Sequence, residues 1–282
     1  MNVIDGAKNV KFCFEDGVFS KERWNTYIEE IYSGARSVIE SDAEDYDYAH
    51  DILPVLNLVY SELEKLQKLH SSFEKVTHNI EEQVKKTLKT NIDADIILCL
   101  GMCNGAGWAT KINGKSVVLL GIEKIIELDW VDETAMTALI YHELGHLWHW
   151  QERTVHTRIE TLKEKALWQL YSEGVAMYCE QLLMNGEFFH QDKNGWLNWC
   201  IENEKKLFNE YLSRIQEGKS VQNFFGDWSS FEGHSDTGYF IGAKLVREAT
   251  RKYSLKKALN LSFNEIEELL HFCADKNFHK SF

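Results

Sequence analysis

The motif His-Glu-Leu-Gly-His at residues 142–146 brings together the side chains of this 282-residue chain that are best suited to chemistry. His142 and His146 are four residues apart, so a helix places both imidazoles on one face, one turn apart, where they can bind one metal ion. Glu143 projects beside the same face and can reach a metal-bound water without binding the metal. The motif therefore predicts a zinc site in which Glu143 is the general base for an activated water.

A catalytic zinc ion usually has three protein ligands and one open position, so the motif needs a third ligand. His149 lies about 10 Å along the helix axis from His142, which is too far for both to bind one ion. The position six residues after His146, where metzincins carry a third His, is Glu152. Glu173 is the remaining candidate, because the chain before it is long enough for a loop and a return helix.

The segment that carries the motif is predicted to be a helix over Thr134–Gln151, with Asp132 or Thr134 as its N-cap. Apolar residues flank the motif on both sides, so we expect the helix to be buried and the site to be partly dry. They are Leu139, Ile140, Leu147 and Trp148. Beyond Asp132 the chain is predicted to consist of helices and connecting loops.

The β structure is predicted upstream of this helix. The apolar run Asp95–Leu100 is typical of a buried strand, and Asn113-Gly114 is a hairpin turn between strands at Trp108–Ile112 and Lys115–Ile122. We expect Ser116–Gly121 to bind an extended peptide by strand addition, and the alternative is that it is an ordinary strand of a small sheet.

Residues 1–90 are predicted to form a helical N-terminal region, followed by a second region over residues 91–282. Apolar residues recur every three or four positions through Ile52–Leu88, which is one helix or two helices broken near Ser71-Ser72. The predicted fold class is α+β: a small, mainly antiparallel sheet with a hairpin packed on the motif helix, and helices elsewhere.

The motif His142-Glu143-x-x-His146, followed by Glu173-Gly174-x-Ala176, resembles the gluzincins, zinc peptidases with two His and one Glu as ligands. Within them it is similar to bacterial predicted zinc-dependent proteases of unknown function. The resemblance covers roughly residues 95–270. It implies a zincin-like fold over residues 91–282, in which His142, His146 and Glu173 bind Zn²⁺ and Glu143 is the general base of peptide hydrolysis.

One position departs from the resemblance. Thermolysin-like members carry an Asp one turn after the ligand Glu, which orients a ligating His, and in this chain Met177 stands there. Glu180 and Asp236 are the candidates for that orienting role.

Two further residues are candidates for stabilising the negative oxygen of a tetrahedral intermediate. Tyr239 and His234 both lie in the Gly-rich segment Phe231–Gly242, which is predicted to be a loop entering a helix. The alternative for each is a structural role, as a buried Tyr and as a packed His.

The composition of the chain restricts the class of molecule that it is expected to bind. The chain has 44 acidic and 31 basic residues, a net charge of −13, which disfavours nucleic acid and leaves a peptide or protein substrate. No apolar run approaches the length of a membrane span. With no export signal and six scattered cysteines without a CxxC pair, we expect a cytoplasmic protein with reduced thiols.

Two other functions fit the same residues. A non-catalytic zinc protein, regulatory or peptide-binding, would bind the metal without turnover. A helical scaffold with buried histidines would bind no metal. Glu143 favours the enzyme, because hydrolysis needs it and metal binding does not.

Overall fold

The protein is described by a computed structural model that covers residues 1–155 and 158–275. It is an α+β protein, mostly helical with one four-stranded sheet, as the sequence predicts at this level. The chain divides into two compact units, Met1–Leu147 and Trp148–Phe282. No helix among the described residues combines the length and the apolar character needed to cross a bilayer.

The first unit contains the sheet. Its strands run in the order β1-β4-β6-β5, and a separate two-stranded ribbon pairs β2 with β3. The strands are β1 (Asn2–Asp5), β2 (Phe14–Glu15), β3 (Val18–Phe19), β4 (Ala94–Cys99), β5 (Gly107–Ile112) and β6 (Lys115–Gly121).

The prediction of a mainly antiparallel sheet is wrong. In the four-stranded sheet of the described residues β1 is parallel to β4 and β4 is parallel to β6, and only the β5–β6 pair is antiparallel. All six residues of β4 are buried, as is usual for a strand with parallel neighbours and both faces covered. The parallel β1 comes from the N-terminal residues, where no strand was predicted.

The hairpin is confirmed, but its two strands occupy different places. Asn113 and Gly114 have φ values of 51° and 80°, as a tight two-residue turn requires. β6 lies between β4 and β5, so both of its edges are already paired and it does not bind a peptide by strand addition. Within the described residues β5 pairs with β6 alone, so β5 and β1 are the two edge strands of this sheet.

Much of the rest of the first unit is helical. Its described helices are α1 (Lys21–Ile31), α2 (Ala35–Asp42), α3 (Leu53–Ser61), α4 (Leu63–Thr77), α5 (Ile80–Leu88), α6 (Ile122–Glu127) and the start of α7 (Glu133–Glu152). Short 3₁₀ or π-helical segments lie at Ala7–Cys13, Ala43–Asp45 and Tyr48–Ile52.

The long helical stretch upstream of the sheet is divided into α3, α4 and α5. The breaks fall at Glu62 and at His78–Asn79, and α4 continues through Ser71-Ser72. Ser72 is buried and donates a hydrogen bond to the carbonyl oxygen of Val131, 2.8 Å away, so this polar residue is accommodated inside the helix.

Helix α7 carries the His-Glu-Leu-Gly-His motif. Of the two candidate N-caps Asp132 is the one used, because its Oδ1 accepts the backbone N–H groups of Thr134 and Ala135 at 2.9 and 3.0 Å. The boundary between the two units falls inside α7, after Leu147.

The described part of the second unit consists of helices and connecting loops, with one isolated bridge between Phe231 and His234. After α7 its helices are α8 (Leu162–Met184), α9 (Trp196–Glu202), α10 (Glu204–Glu217), α11 (Thr237–Lys252), α12 (Leu255–Ala258) and α13 (Phe263–Asp275), with a 3₁₀ turn at Gln222–Phe224. α8 and α11 approach so closely that a Cβ on Gly174 would lie 2.3 Å from the carbonyl oxygen of Gly242. Only glycine fits at that contact.

Candidate metal centre and catalytic residues

The two histidines of the motif lie together on α7. The ring centroids of His142 and His146 are 4.9 Å apart and the rings are nearly perpendicular, at 85°. His142 is 3% exposed and His146 is half-buried. The spacing of four residues therefore places both imidazoles in one largely dry patch, as predicted.

Glu143 is also buried, at 4% exposure, and the first residue of the edge strand lies against it. A Cβ on Gly107 would be 2.9 Å from both Cγ and Oε1 of Glu143 and 3.1 Å from Leu139. Glycine at this position thus lets the backbone of β5 approach the carboxylate directly. The predicted general base and the β5 edge of the sheet are therefore neighbours within the first unit.

Glu173 lies on α8 in the second unit and is half-buried. It precedes Gly174, so the close contact of α8 with α11 sets the position of its backbone. Its charge acts on His190, whose pKa it raises against the larger opposing effect of burial. Glu173 and His190 therefore belong to one region of the second unit.

His190 forms a buried pair with Glu180, which the sequence analysis did not anticipate. The ring Nδ1 is 2.7 Å from Oε2 of Glu180, and the backbone N–H of His190 donates to Oε1 at 3.1 Å. Because burial lowers the pKa of His190 to about 3, the ring is neutral, and Nδ1 must carry the proton that the carboxylate accepts. Nε2 then accepts a hydrogen bond from Nε2 of Gln191, 2.8 Å away.

The two residues considered for orienting a ligand are engaged within the second unit. Glu180 orients His190, and Oδ1 of Asp236 accepts the backbone N–H of Gly226 at 2.8 Å. The one signal for His190 in the sequence is Glu180 itself, seven residues after Glu173 and so two turns along the same helical face.

The buried pair predicts a dependence of stability on pH. Between its unfolded pKa of 6.5 and its folded pKa of about 3, His190 binds a proton in the unfolded chain but not in the folded one. The free energy of unfolding should therefore fall as the pH drops through this window, by up to about 1.4 kcal/mol per pH unit. In His190→Gln this contribution is absent, so urea unfolding between pH 7 and pH 5 should give a shallower slope. Equal slopes for the two proteins would contradict the prediction.

The candidate oxyanion donors lie in different surroundings. Tyr239 is half-buried in the first turn of α11, with its ring centroid 6.3 Å from that of His190 and 5.6 Å from that of Phe225. His234 is stacked on Trp199, with ring centroids 3.9 Å apart. The catalytic roles of both stay predictions.

His149, set aside as a ligand, is fully buried between aromatic rings. It stacks on Trp168 at 5.4 Å and meets Tyr171 edge-on at 5.1 Å. Its surroundings within the second unit are those of a core residue.

No protein-family model, curated protein or solved structure matches this chain. The likeness to the gluzincins therefore rests on the spacing of the motif residues. Chemically, the first unit offers two imidazoles and a buried carboxylate, and the second unit offers the Glu173 carboxylate. Nitrogen and oxygen donors of these types are those that zinc accepts in catalytic sites.

Proposed function

We propose that this chain is a zinc-dependent peptidase in which His142, His146 and Glu173 bind the metal and Glu143 is the general base. One observation carries the proposal: two imidazoles with centroids 4.9 Å apart share a helix with a buried carboxylate that touches the edge strand of the sheet. Glu173 as the third ligand is supported by its place in the motif order on α8.

The donor set fits zinc, because two imidazoles and one carboxylate leave a fourth position open for water. When bound at these residues, a zinc ion would supply a water with a pKa of about 7 and a positive charge to polarise the scissile carbonyl. Glu143 takes the proton of the water and delivers it to the leaving amine. Its burial keeps bulk water away from this transfer.

The negative oxygen that forms on the substrate needs a second donor. Tyr239 and His234 are the proposed candidates, each with one side chain hydrogen to offer. The surroundings favour Tyr239, whose hydroxyl belongs to a half-buried ring beside His190 in the second unit.

The peptide is proposed to bind along β5. Among the residues that the structure describes, this strand is paired on one side only, and it starts at the residue that touches Glu143. A substrate that adds to this edge uses its main chain for binding, and its scissile bond is carried past the general base.

Zinc binding tests the ligand set. We expect about one zinc per chain in the wild-type protein, and an affinity more than about 100-fold lower in His142→Ala and in Glu173→Gln, since losing even a group that orients a ligand costs about 10–100-fold. His50→Ala and Glu202→Gln are matched controls at exposed positions and should bind zinc normally. Titration against a competing chelator measures all five proteins.

The outcome separates the proposal from its alternatives. Undiminished zinc binding by His142→Ala would remove the motif as the metal site, and a chain that binds no zinc would be a scaffold with buried histidines. Stoichiometric zinc without cleavage of a peptide library would identify a non-catalytic zinc protein and end the peptidase proposal.

A further inference from the structure

Glu123 is a fully buried carboxylate outside the motif. It lies at the start of α6, directly after β6, and its side chain is 0% exposed. Burial raises its pKa, and hydrogen bonds from the backbone N–H groups of Gly101 and Cys103 oppose this shift. Burying a carboxylate costs free energy unless its oxygens accept hydrogen bonds from other buried groups.

The side chain of Glu123 binds backbone N–H groups of the turn between β4 and β5. Both of its oxygens accept the N–H of Gly101, at 2.9 and 3.0 Å, and Oε1 accepts the N–H of Cys103 at 2.8 Å. Met102 and Cys103 have φ values of 57° and 65°, the left-handed region that non-glycine residues seldom adopt. The carboxylate thus stabilises an otherwise unfavourable turn between β4 and β5.

The other end of this turn is held against β6. The N–H of Gly121 donates to the carbonyl oxygen of Ala106 at 3.0 Å. A Cβ on Gly121 would lie only 2.4 Å from the carbonyl oxygen of Gly105. Residues 101–106 are therefore fixed at both ends immediately before β5 begins at Gly107.

The position of that turn decides where β5 meets the general base. Gly107 is the residue whose Cβ would contact Glu143, and it follows the fixed segment directly. We propose that Glu123 is a positioning residue that places the edge strand β5 against Glu143. The expected effect on catalysis rests on the proposed function, whereas the placement of β5 by Glu123 involves residues of the first unit alone.

A carboxylate suits this role better than an amide. Oε1 accepts from both backbone donors and Oε2 accepts from Gly101 as well, whereas glutamine has one oxygen and an NH₂ group that can accept nothing. Glu123→Gln keeps the volume of the side chain but replaces the acceptor Oε2 with an NH₂ donor that faces the N–H of Gly101, so the turn is bound less tightly and β5 is positioned less firmly.

Hydrogen exchange and kinetics test the inference together. In Glu123→Gln we expect amides of residues 107–112 to exchange at least about tenfold faster than in the wild-type chain, with zinc content unchanged. For peptide cleavage we expect KM to rise about fivefold or more, because the binding edge is displaced. Glu248→Gln, which removes a buried carboxylate from the second unit, is the control and should change neither quantity in this way.

Failure of the positioning role of Glu123 and failure of the peptidase proposal would give different results. Unchanged exchange of residues 107–112 in Glu123→Gln overturns the positioning role, whether or not the wild-type chain cleaves peptides. A fall in kcat at constant KM also overturns it, because that pattern indicates only a smaller folded fraction. A wild-type chain without activity ends the peptidase proposal and leaves the exchange result to decide on Glu123.

Should Glu123→Gln fail to fold, Gly121→Ala displaces the same turn from its other end. Unchanged exchange of β5 in that variant overturns the coupling between the turn and β5.

Discussion

In Glu143→Gln we expect zinc binding to equal that of the wild-type protein and kcat for peptide cleavage to fall by about 10²–10⁴-fold, the usual contribution of a general base. Glutamine keeps the length and volume of the side chain, so the contact with Gly107 is preserved. Its amide cannot take a proton from water. Because Glu143 is not a proposed ligand, the metal site is left intact.

The measurement is cleavage of a peptide library by zinc-loaded protein, read by mass spectrometry, with the zinc content determined on the same samples. Glu133→Gln is the matched control, because Glu133 is an exposed residue of the same helix. We expect it to cleave at the wild-type rate. Cleavage by Glu143→Gln within a few-fold of wild type would exclude Glu143 as the base, and the zinc values would show whether the site itself was disturbed.

The sequence was most informative where the signal is local. The spacing of His142 and His146 predicts one shared face of a helix, and their ring centroids do lie 4.9 Å apart. Asn113 and Gly114 predict a turn with two positive φ values, and they have them. In each case the physical cause acts within a few residues, so no knowledge of the rest of the fold is needed.

The sheet could not be predicted in the same way, because strand pairing is not local. β1 has four residues, too few for a pattern, and its partner β4 is about ninety residues away. Nothing in the composition of β6 indicates that β4 would cover its second edge. The free edge was therefore assigned to the wrong strand of a correctly predicted hairpin.

The functional residues also differ in whether the local sequence indicates them. Glu180 was a candidate orienting residue, but its partner His190 comes from a connecting segment without a periodic pattern and was not predicted. Glu123 carried no motif at all, and its role follows only from the backbone groups that it meets. Residues of this kind act through contacts between segments that are distant in sequence.

The second large effect is expected at Gly174. In Gly174→Ala the new Cβ would lie 2.3 Å from the oxygen and 2.6 Å from the carbon of the Gly242 carbonyl group. Backbone atoms cannot turn away as a side chain can, so α8 and α11 must separate. We expect the free energy of unfolding to fall by about 3 kcal/mol, the upper range for overpacking a core. Urea unfolding of the zinc-free proteins measures this change.

The same substitution connects packing with the proposed metal site. Glu173 is the preceding residue on α8, so a shift of the helix moves its carboxylate, and we expect zinc affinity to fall about tenfold. Gly186→Ala is the matched control: a Cβ there meets nothing within 4 Å, and both stability and zinc affinity should stay near wild type. Normal stability of Gly174→Ala would contradict the close helix contact. Lost stability with unchanged zinc affinity would instead show that the metal is bound without Glu173, and the ligand set would have to be revised.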